Sequence, residues 1–403
     1  MIRLPPAQAW LTAPETLAVI DALEGAGGEA RFVGGCVRNA LLREPVADVD
    51  IATTLTPDRT MAALEAAGLK FAPTGVEHGT VTAISGRRGF EVTTLRRDVA
   101  TDGRRAVVAF TTDWAEDAAR RDFRLNALYA DRTGEVFDPT GQGVEDCRAG
   151  RIVFVGEPEA RIREDYLRIL RFFRFHAWYG RSEPDAPGLA ACANLKAGIS
   201  QLSAERISAE LMKLLAAPDP VGAVRLMNET GVLEEALPFE LDLPLFEAMV
   251  GLSQDPALRL SALLAADWEM VEAAAAKLRL SNALRDRLLA ALPDFVEVRL
   301  GMDPHPARVA IYRLGRKVFT DRVMRAWAAD PSRYAGAWPL LDLAEAWTPP
   351  RFPIGGAELR QAGLEPGPRM GQVLRDLQDW WMARDFPEEG LDAKLAELIG
   401  AGA

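Results

Sequence analysis

"RFVGGCVRNALLREPVADVDIATT", residues 31–54, holds two glycines ahead of an arginine and then two aspartates separated by one valine. In a strand, alternate side chains share a face. Asp48 and Asp50 of "DVDIATT" therefore project together while Val49 and Ile51 pack behind them. Two adjacent carboxylates repel, and a divalent cation relieves the repulsion; hard oxygen donors of this kind suit Mg²⁺ shared with substrate phosphates. Glu91 of "GFEVTTLR" is the candidate third carboxylate, because the alternation of Phe90 and Val92 turns it away from the apolar face. Three such groups suit two ions roughly 3.5 to 4 Å apart. Taken alone, the aspartate pair also reads as an ordinary polar strand end.

The glycines add weight to the metal reading. "VGGCVRNALL" predicts a strand ending at Gly34 and Gly35, then a helix whose first turn carries Arg38. Consecutive N–H groups ahead of a helix N-terminus form an anion cradle, to which Arg38 adds a charge-assisted fork. The plainer alternative is a strand-to-helix turn with a surface arginine. Neither GxxxxGK[ST] nor GxGxxG is present, so this is not a P-loop or a dinucleotide turn. A phosphate cradle leading into a metal-binding strand holds a triphosphate beside its ions, which points to nucleotidyl transfer.

Around this stretch, residues 29–142 alternate β-rich runs ("EARFVGG", "GTVTAIS", "FEVTTLR") with a helical pattern, "TPDRTMAALEAAGL", opened by a capping threonine and a proline. This is an α/β or α+β unit. Residues 103–117 read either as a loop or, through "AVVAF", as a strand. From about Pro158 the texture is helical, with Pro and Gly at the joints. At 403 residues the chain has room for more than one domain.

The formal charge of −11 argues against diffuse nucleic-acid binding, so an RNA partner needs a local basic patch. The three cysteines are far apart and form no metal-ligand pattern, and no GxSxG elbow accompanies the three histidines; disulfides, zinc and nucleophilic hydrolysis are not expected. No apolar run approaches a membrane span, and "MIRLPPAQAW" has no signal-peptide core, so a cytoplasmic protein without a membrane partner is expected.

Six ordered stretches, "RFVGGCVRNALL…DVDIATT", "GVEHGTVT", "FEVTTLRRD", "RRDFRLNALY", "DPTGQGVEDCRAGRIVFVG" and "RIREDYLRILRFFRF", resemble the class II tRNA nucleotidyltransferase and bacterial poly(A) polymerase family. The resemblance implies a polymerase-beta-type nucleotidyltransferase head with a mixed sheet (residues 1–142), a helical neck with a base-reading helix (143–240), and a helical body and tail (241–403). It implies metal binding by Asp48 and Asp50 and phosphate contacts from Gly35 and Arg38. By the same similarity Arg121 touches the triphosphate, while Asp122 and Asn126 lie near the sugar. The implied activity is template-independent addition of C and A from CTP and ATP to the 3′ end of tRNA. No obligate protein partner is evident.

Hydrogen-bond chemistry supports a base-reading role for "ARIREDYLRILRFFRF". Cytosine and adenine both present an amino donor beside a bare ring nitrogen, whereas guanine and uracil present a carbonyl beside an N–H. On a continuous helix, Asp165 and Arg168 at i,i+3 complement the first pattern and clash with the second. The resemblance implies the same role for this pair, with Arg171 and Arg174 also near the nucleotide. A solvated, self-paired helix face is the alternative reading of the residues alone.

The family commonly has Asp where this chain has Asn39, and Thr where it has Arg124. Neither change touches a metal ligand or the base-reading pair; they bear on the phosphate turn and the sugar contact. Further along, Arg299, Arg308, Arg313, Arg316, Lys317, Arg322 and Arg325 read equally as a tRNA-phosphate surface or as a solvated helical face. The final "EEGLDAKLAELIGAGA" lacks the strongly basic extension common in the poly(A) polymerases, which favours CCA addition. Poly(A) synthesis, A-only or C-only addition, and a non-catalytic RNA-binding protein are the alternatives.

Overall fold

The computed structural model describes residues 2–6, 8–102 and 105–400, with the side chains of residues 98–108 outside that description. The chain forms two compact units, Met1–Pro238 and Phe239–Ala403. Among the described residues the first contains ten strands: β1 (Ile2–Arg3), β2 (Ala30–Val33), β3 (Ile51–Thr53), β4 (Lys70–Gly75), β5 (Thr80–Ser85), β6 (Arg88–Thr94), β7 (Arg96–Asp102), β8 (Arg105–Phe110), β9 (Tyr129–Ala130) and β10 (Glu135–Phe137). Eight of them make one mixed sheet in the order β1-β10-β9-β2-β3-β6-β5-β4, and β7 pairs with β8 separately.

The expected α+β head is present. "AVVAF" belongs to β8, so the strand reading holds there, while Gly103 and Arg104 lie outside the described residues. Between β3 and β6 the pairing is parallel, Ile51 opposite Val92; β2 runs antiparallel to β3. Every residue of β3 is buried, as a central strand requires. The helix Pro57–Ala66 begins at its proline; Thr56 takes the cap position, but its side chain makes no capping bond.

β3 is shorter than the sequence suggests. Asp48, Val49 and Asp50 precede it. The alternation nonetheless continues, because the Val33 amide donates to the Asp50 carbonyl at 3.0 Å and carries the ladder one residue beyond β3. Val49 is buried, Asp50 half-buried and Asp48 exposed.

Behind the sheet, Val33, Ala52, Leu95, Ala118, Ala127, Tyr129 and Val155 form one core cluster. An aromatic cluster then docks the helix Leu167–Tyr179: Phe123 lies 4.9 Å from Phe154 and 5.2 Å from Phe175, and Phe154 stacks on Phe172 at 5.7 Å. Truncating a buried phenylalanine of this kind costs about 3 to 5 kcal/mol. This cluster therefore holds the helix against Phe123 and Phe154, which pair in an antiparallel bridge.

The second unit is helical, from Leu243–Leu252 through Leu391–Gly400. Its basic run is mostly engaged internally. Arg322 pairs with Asp294 at 2.6 Å, Arg313 with Asp379 at 2.9 Å, Arg308 with Asp385, and Lys317 with Asp255 and Asp321 at 3.3 and 3.2 Å. Arg325 is buried and donates to the Ser261 carbonyl; Arg299 and Arg316 sit beside Glu297 and Glu345. These guanidinium and ammonium groups thus have acceptors within the unit, while Arg299, Arg313, Arg316 and Lys317 stay substantially exposed.

Candidate active site

The site begins where β2 stops. Gly34 has φ +70° and ψ −118°, a backbone state that a side chain strongly disfavours, and its amide donates to the Leu128 carbonyl at 3.0 Å. The helix Gly35–Leu42 starts there, and its first-turn N–H groups have no acceptor within the helix. Arg38 does not reach out as an open fork. It is buried, and it donates from Nε and Nη2 to Asn39 Oδ1 (3.1 and 2.9 Å), from Nη2 to Tyr179 Oη (2.8 Å), and from Nη1 to Asn126 Oδ1. Burial lowers its pKa, and it forms no salt bridge among the described residues. Its charge is thus held by neutral side chains, with one Nη1 hydrogen left over.

Asn39 explains one departure from the family pattern. Its Oδ1 accepts from Arg38, and its Nδ2 donates to the Pro45 carbonyl at 2.8 Å, a bond that an aspartate lacks the donor to make. Arg124, the other departure, turns to Gln142 and Asp146, the latter at 3.6 Å.

Asp48, Asp50 and Glu91 form an open acidic cluster. The register Ile51 to Val92 sets Glu91 beside Asp50, each one residue ahead of a paired position. Burial first, and then the charges of Glu91 and Asp48, push the Asp50 carboxyl up to about 6, against the pull of Arg121. None of the three carboxylates has a salt-bridge partner among the described residues. Nor do three carboxylate, His or Cys groups there close into a metal cage. Such un-neutralised hard oxygens in an open arrangement fit a divalent cation whose other positions are filled by phosphate oxygens and water.

Next to this cluster, Arg121 is clamped by Asp117. Its Nε and Nη2 donate to Asp117 Oδ2 at 3.3 and 3.0 Å, and Nη1 lies 3.7 Å from where a Cβ on Gly34 would sit. Asp117 and Tyr129, whose hydroxyl donates to the same oxygen at 2.7 Å, were not among the sequence candidates. The i,i+4 spacing of Asp117 and Arg121 was the available signal.

Asp122 and Asn126 sit in one chain of bonds. Asp122 Oδ1 accepts from Asn126 Nδ2 at 3.0 Å and Oδ2 accepts from Arg171 Nε at 2.8 Å. Burial would raise the Asp122 pKa, but Arg171 and Asn126 hold it below the usual carboxylate value. Through Asn126, this chain continues to Arg38.

The base-reading segment is not one helix. It breaks between Pro158–Glu164 and Leu167–Tyr179, with Asp165 extended at φ −157° and ψ 106°. Asp165 Oδ1 accepts the Leu167 amide at 3.1 Å, and Oδ2 accepts from Arg206 at 2.7 Å. Arg168 donates to Glu164 at 2.6 Å and to the Arg161 carbonyl at 2.7 Å. The expected i,i+3 face is therefore corrected to a kink whose two sides are held by different partners. Arg174 donates to Glu210 at 2.5 Å and lies 4.3 Å over the Phe175 ring.

Residues 30–153 match the family model described as "Poly A polymerase head domain", and residues 188–241 match "Probable RNA and SrmB- binding site of polymerase A". The chain is 35% identical to CCA tRNA nucleotidyltransferase 1, mitochondrial, of Danio rerio, over 88% of this chain and 83% of that one. It is 32% identical to a CCA-adding enzyme of Streptococcus gordonii, over 90% and 92%. Among solved structures, the Bacillus stearothermophilus CCA-adding enzyme in complex with CTP matches with a TM-score of 0.77 and 26% identity, covering 96% of this chain and 97% of that one.

Proposed function

The chain belongs to the CCA tRNA nucleotidyltransferase family, and on that premise we propose that Asp48, Asp50 and Glu91 are its catalytic carboxylates and that Asp48 and Asp50 hold its metal. The protein is a tRNA nucleotidyltransferase that adds C and A from CTP and ATP to the 3′ end of tRNA, releasing pyrophosphate. Enzymes of this family use a divalent metal; Mg²⁺ is our assignment, from the all-oxygen donor set. Among the described residues no helix is long and apolar enough to cross a membrane; a cytoplasmic location is part of the proposal.

In the reaction the RNA 3′-hydroxyl oxygen bonds to the α-phosphorus, the bridge to the β-phosphate breaks, and pyrophosphate leaves in line. A bound divalent cation supplies acidification of that hydroxyl and compensation of charge on the leaving group. The chain's own residues do the rest. The turn at Gly34, its own amide taken by the Leu128 carbonyl, lets Gly35 and the first turn of the helix behind it present N–H groups to the triphosphate, with Arg121 adding a guanidinium. Arg38, Asp122 and Asn126, bonded in series, fix the floor of the sugar site, and Arg171 anchors that series to the neck helix. Asp165 and Arg168 read the pairing edge, and Arg174 stays near the nucleotide through its bond to Glu210. No side-chain nucleophile is required.

The observation that carries this reading is the acidic cluster: Asp50 beside Glu91 and Asp48, its carboxyl raised to about 6 by burial and then by those two like charges, with no salt bridge to any of the three among the described residues. The test offers the purified protein a tRNA lacking its 3′ end, with Mg²⁺ and CTP, ATP or both, followed by sequencing of the products. A finite CCA end is expected. A long A tract establishes the poly(A) alternative, and no extension establishes a silent RNA binder.

A further inference from the structure

We propose that Asp117 is the positioning residue for Arg121, fixing which edge of that guanidinium faces the triphosphate. The proposal rests on the reading of Arg121 as a triphosphate contact. Asp117 is 1% exposed, and both of its oxygens are filled. Oδ2 accepts Arg121 Nε and Nη2 and the Tyr129 hydroxyl; Oδ1 accepts Arg120 Nε at 2.8 Å and the Arg96 amide at 3.2 Å, at the start of β7.

The geometry selects an orientation. Side-on capture of Nε and Nη2 uses one edge of the planar guanidinium and leaves Nη1 on the other, the atom that approaches the Gly34 turn. Without the carboxylate, the long Arg121 side chain regains its rotamers and its forked donors lose their fixed direction. Charge works in the same sense. One carboxylate serves two guanidinium groups, Arg120 and Arg121, so the cluster keeps a net positive charge for an anion. The Tyr129 hydroxyl adds a second brace, accepting from Arg121 Nε at 3.3 Å while donating to Asp117. Burial would push the Asp117 carboxyl up, yet Arg121, Arg120 and Tyr129 hold it down to about 2, so it stays ionised wherever the enzyme works.

The experiment is a double-mutant cycle on the full chain, with KM and kcat for CTP and ATP measured on a tRNA lacking its 3′ end. Asp117→Asn is expected to raise KM about tenfold for both nucleotides, the scale of one charge-assisted hydrogen bond, with kcat and the C/A preference changing far less. In an Arg121→Ala background the same substitution should add less than about twofold, because its effect passes through Arg121. Tyr129→Phe, which leaves the carboxylate in place, should give a smaller rise that also disappears in that background; it carries the cycle if Asp117→Asn does not fold. An equal penalty in both backgrounds, or an unchanged KM in the single variants, overturns the positioning role. If Arg121→Ala alone leaves KM unchanged, the triphosphate reading of Arg121 fails first and the proposal falls with it.

Discussion

Asp50, immediately ahead of β3, stands next to Glu91 of the parallel neighbour β6, and neither has a salt-bridge partner among the described residues. That relationship has a consequence for stability in the absence of metal. The folded Asp50 carboxyl sits near 6, above its ordinary 3.8. A raised carboxyl binds its proton more tightly in the native state, so wild-type stability falls as pH climbs from about 4 to 6 and stays lower above that. Asp50→Asn removes this loss. In EDTA at pH 7.5 the variant should be more stable than wild type by about 1 to 2 kcal/mol, discounted for partial solvent access, and the gap should narrow towards pH 4. Denaturant melts at the two pH values check this; a gap that is constant with pH refutes the coupling.

The kink at Asp165 separates two supports for base reading. Asp165→Asn and Arg168→Ala should each weaken discrimination of CTP and ATP against GTP and UTP by roughly 10- to 100-fold, the cost of leaving one buried polar group unpaired. Arg206→Ala, which frees Asp165 Oδ2, should produce a milder loss in the same direction. Competition assays with all four nucleotides measure this, and unchanged selectivity in all three variants rules out the base-reading assignment.

Gly34→Ala should destabilise the protein by about 1 to 3 kcal/mol through its backbone conformation. A Cβ there meets Arg121 Nη1 and the Asn126 carbonyl only at 3.7 Å, so crowding contributes little. The turn's displacement should also raise KM for both nucleotides. A variant with wild-type denaturation midpoint and KM would show that the turn tolerates a side chain.

Much of the head was legible because short-range patterning and local sterics agree there. The alternation around Asp48 and Asp50 survives even though β3 starts only at Ile51, since burial of Val49 and Ile51 sets the faces. The Gly34 turn was legible because few other residues accept its φ. What was hidden depended on distant partners. The break at Asp165 is stabilised by Arg206, 41 residues away, so helical spacing alone suggested a continuous face. Arg38 looked free because its acceptors, Asn126 and Tyr179, lie far along the chain. The basic run read equally as an RNA surface or a solvated face because its acidic partners Asp255, Asp294, Asp379 and Asp385 lie 28 to 77 residues away. Asp117 fell at the end of a stretch read as loop or strand, although its spacing from Arg120 and Arg121 carried the clue.

The most direct measurement is single-turnover incorporation of C into a tRNA lacking its 3′ end by Asp48→Ala and Asp50→Ala, each shown to fold and bind tRNA like wild type. Loss of a metal-holding carboxylate removes several kcal/mol of transition-state stabilisation, so the rate should drop by about a thousandfold or more in either variant. A rate within about tenfold of wild type in either would contradict the assignment of these aspartates to the chemical step.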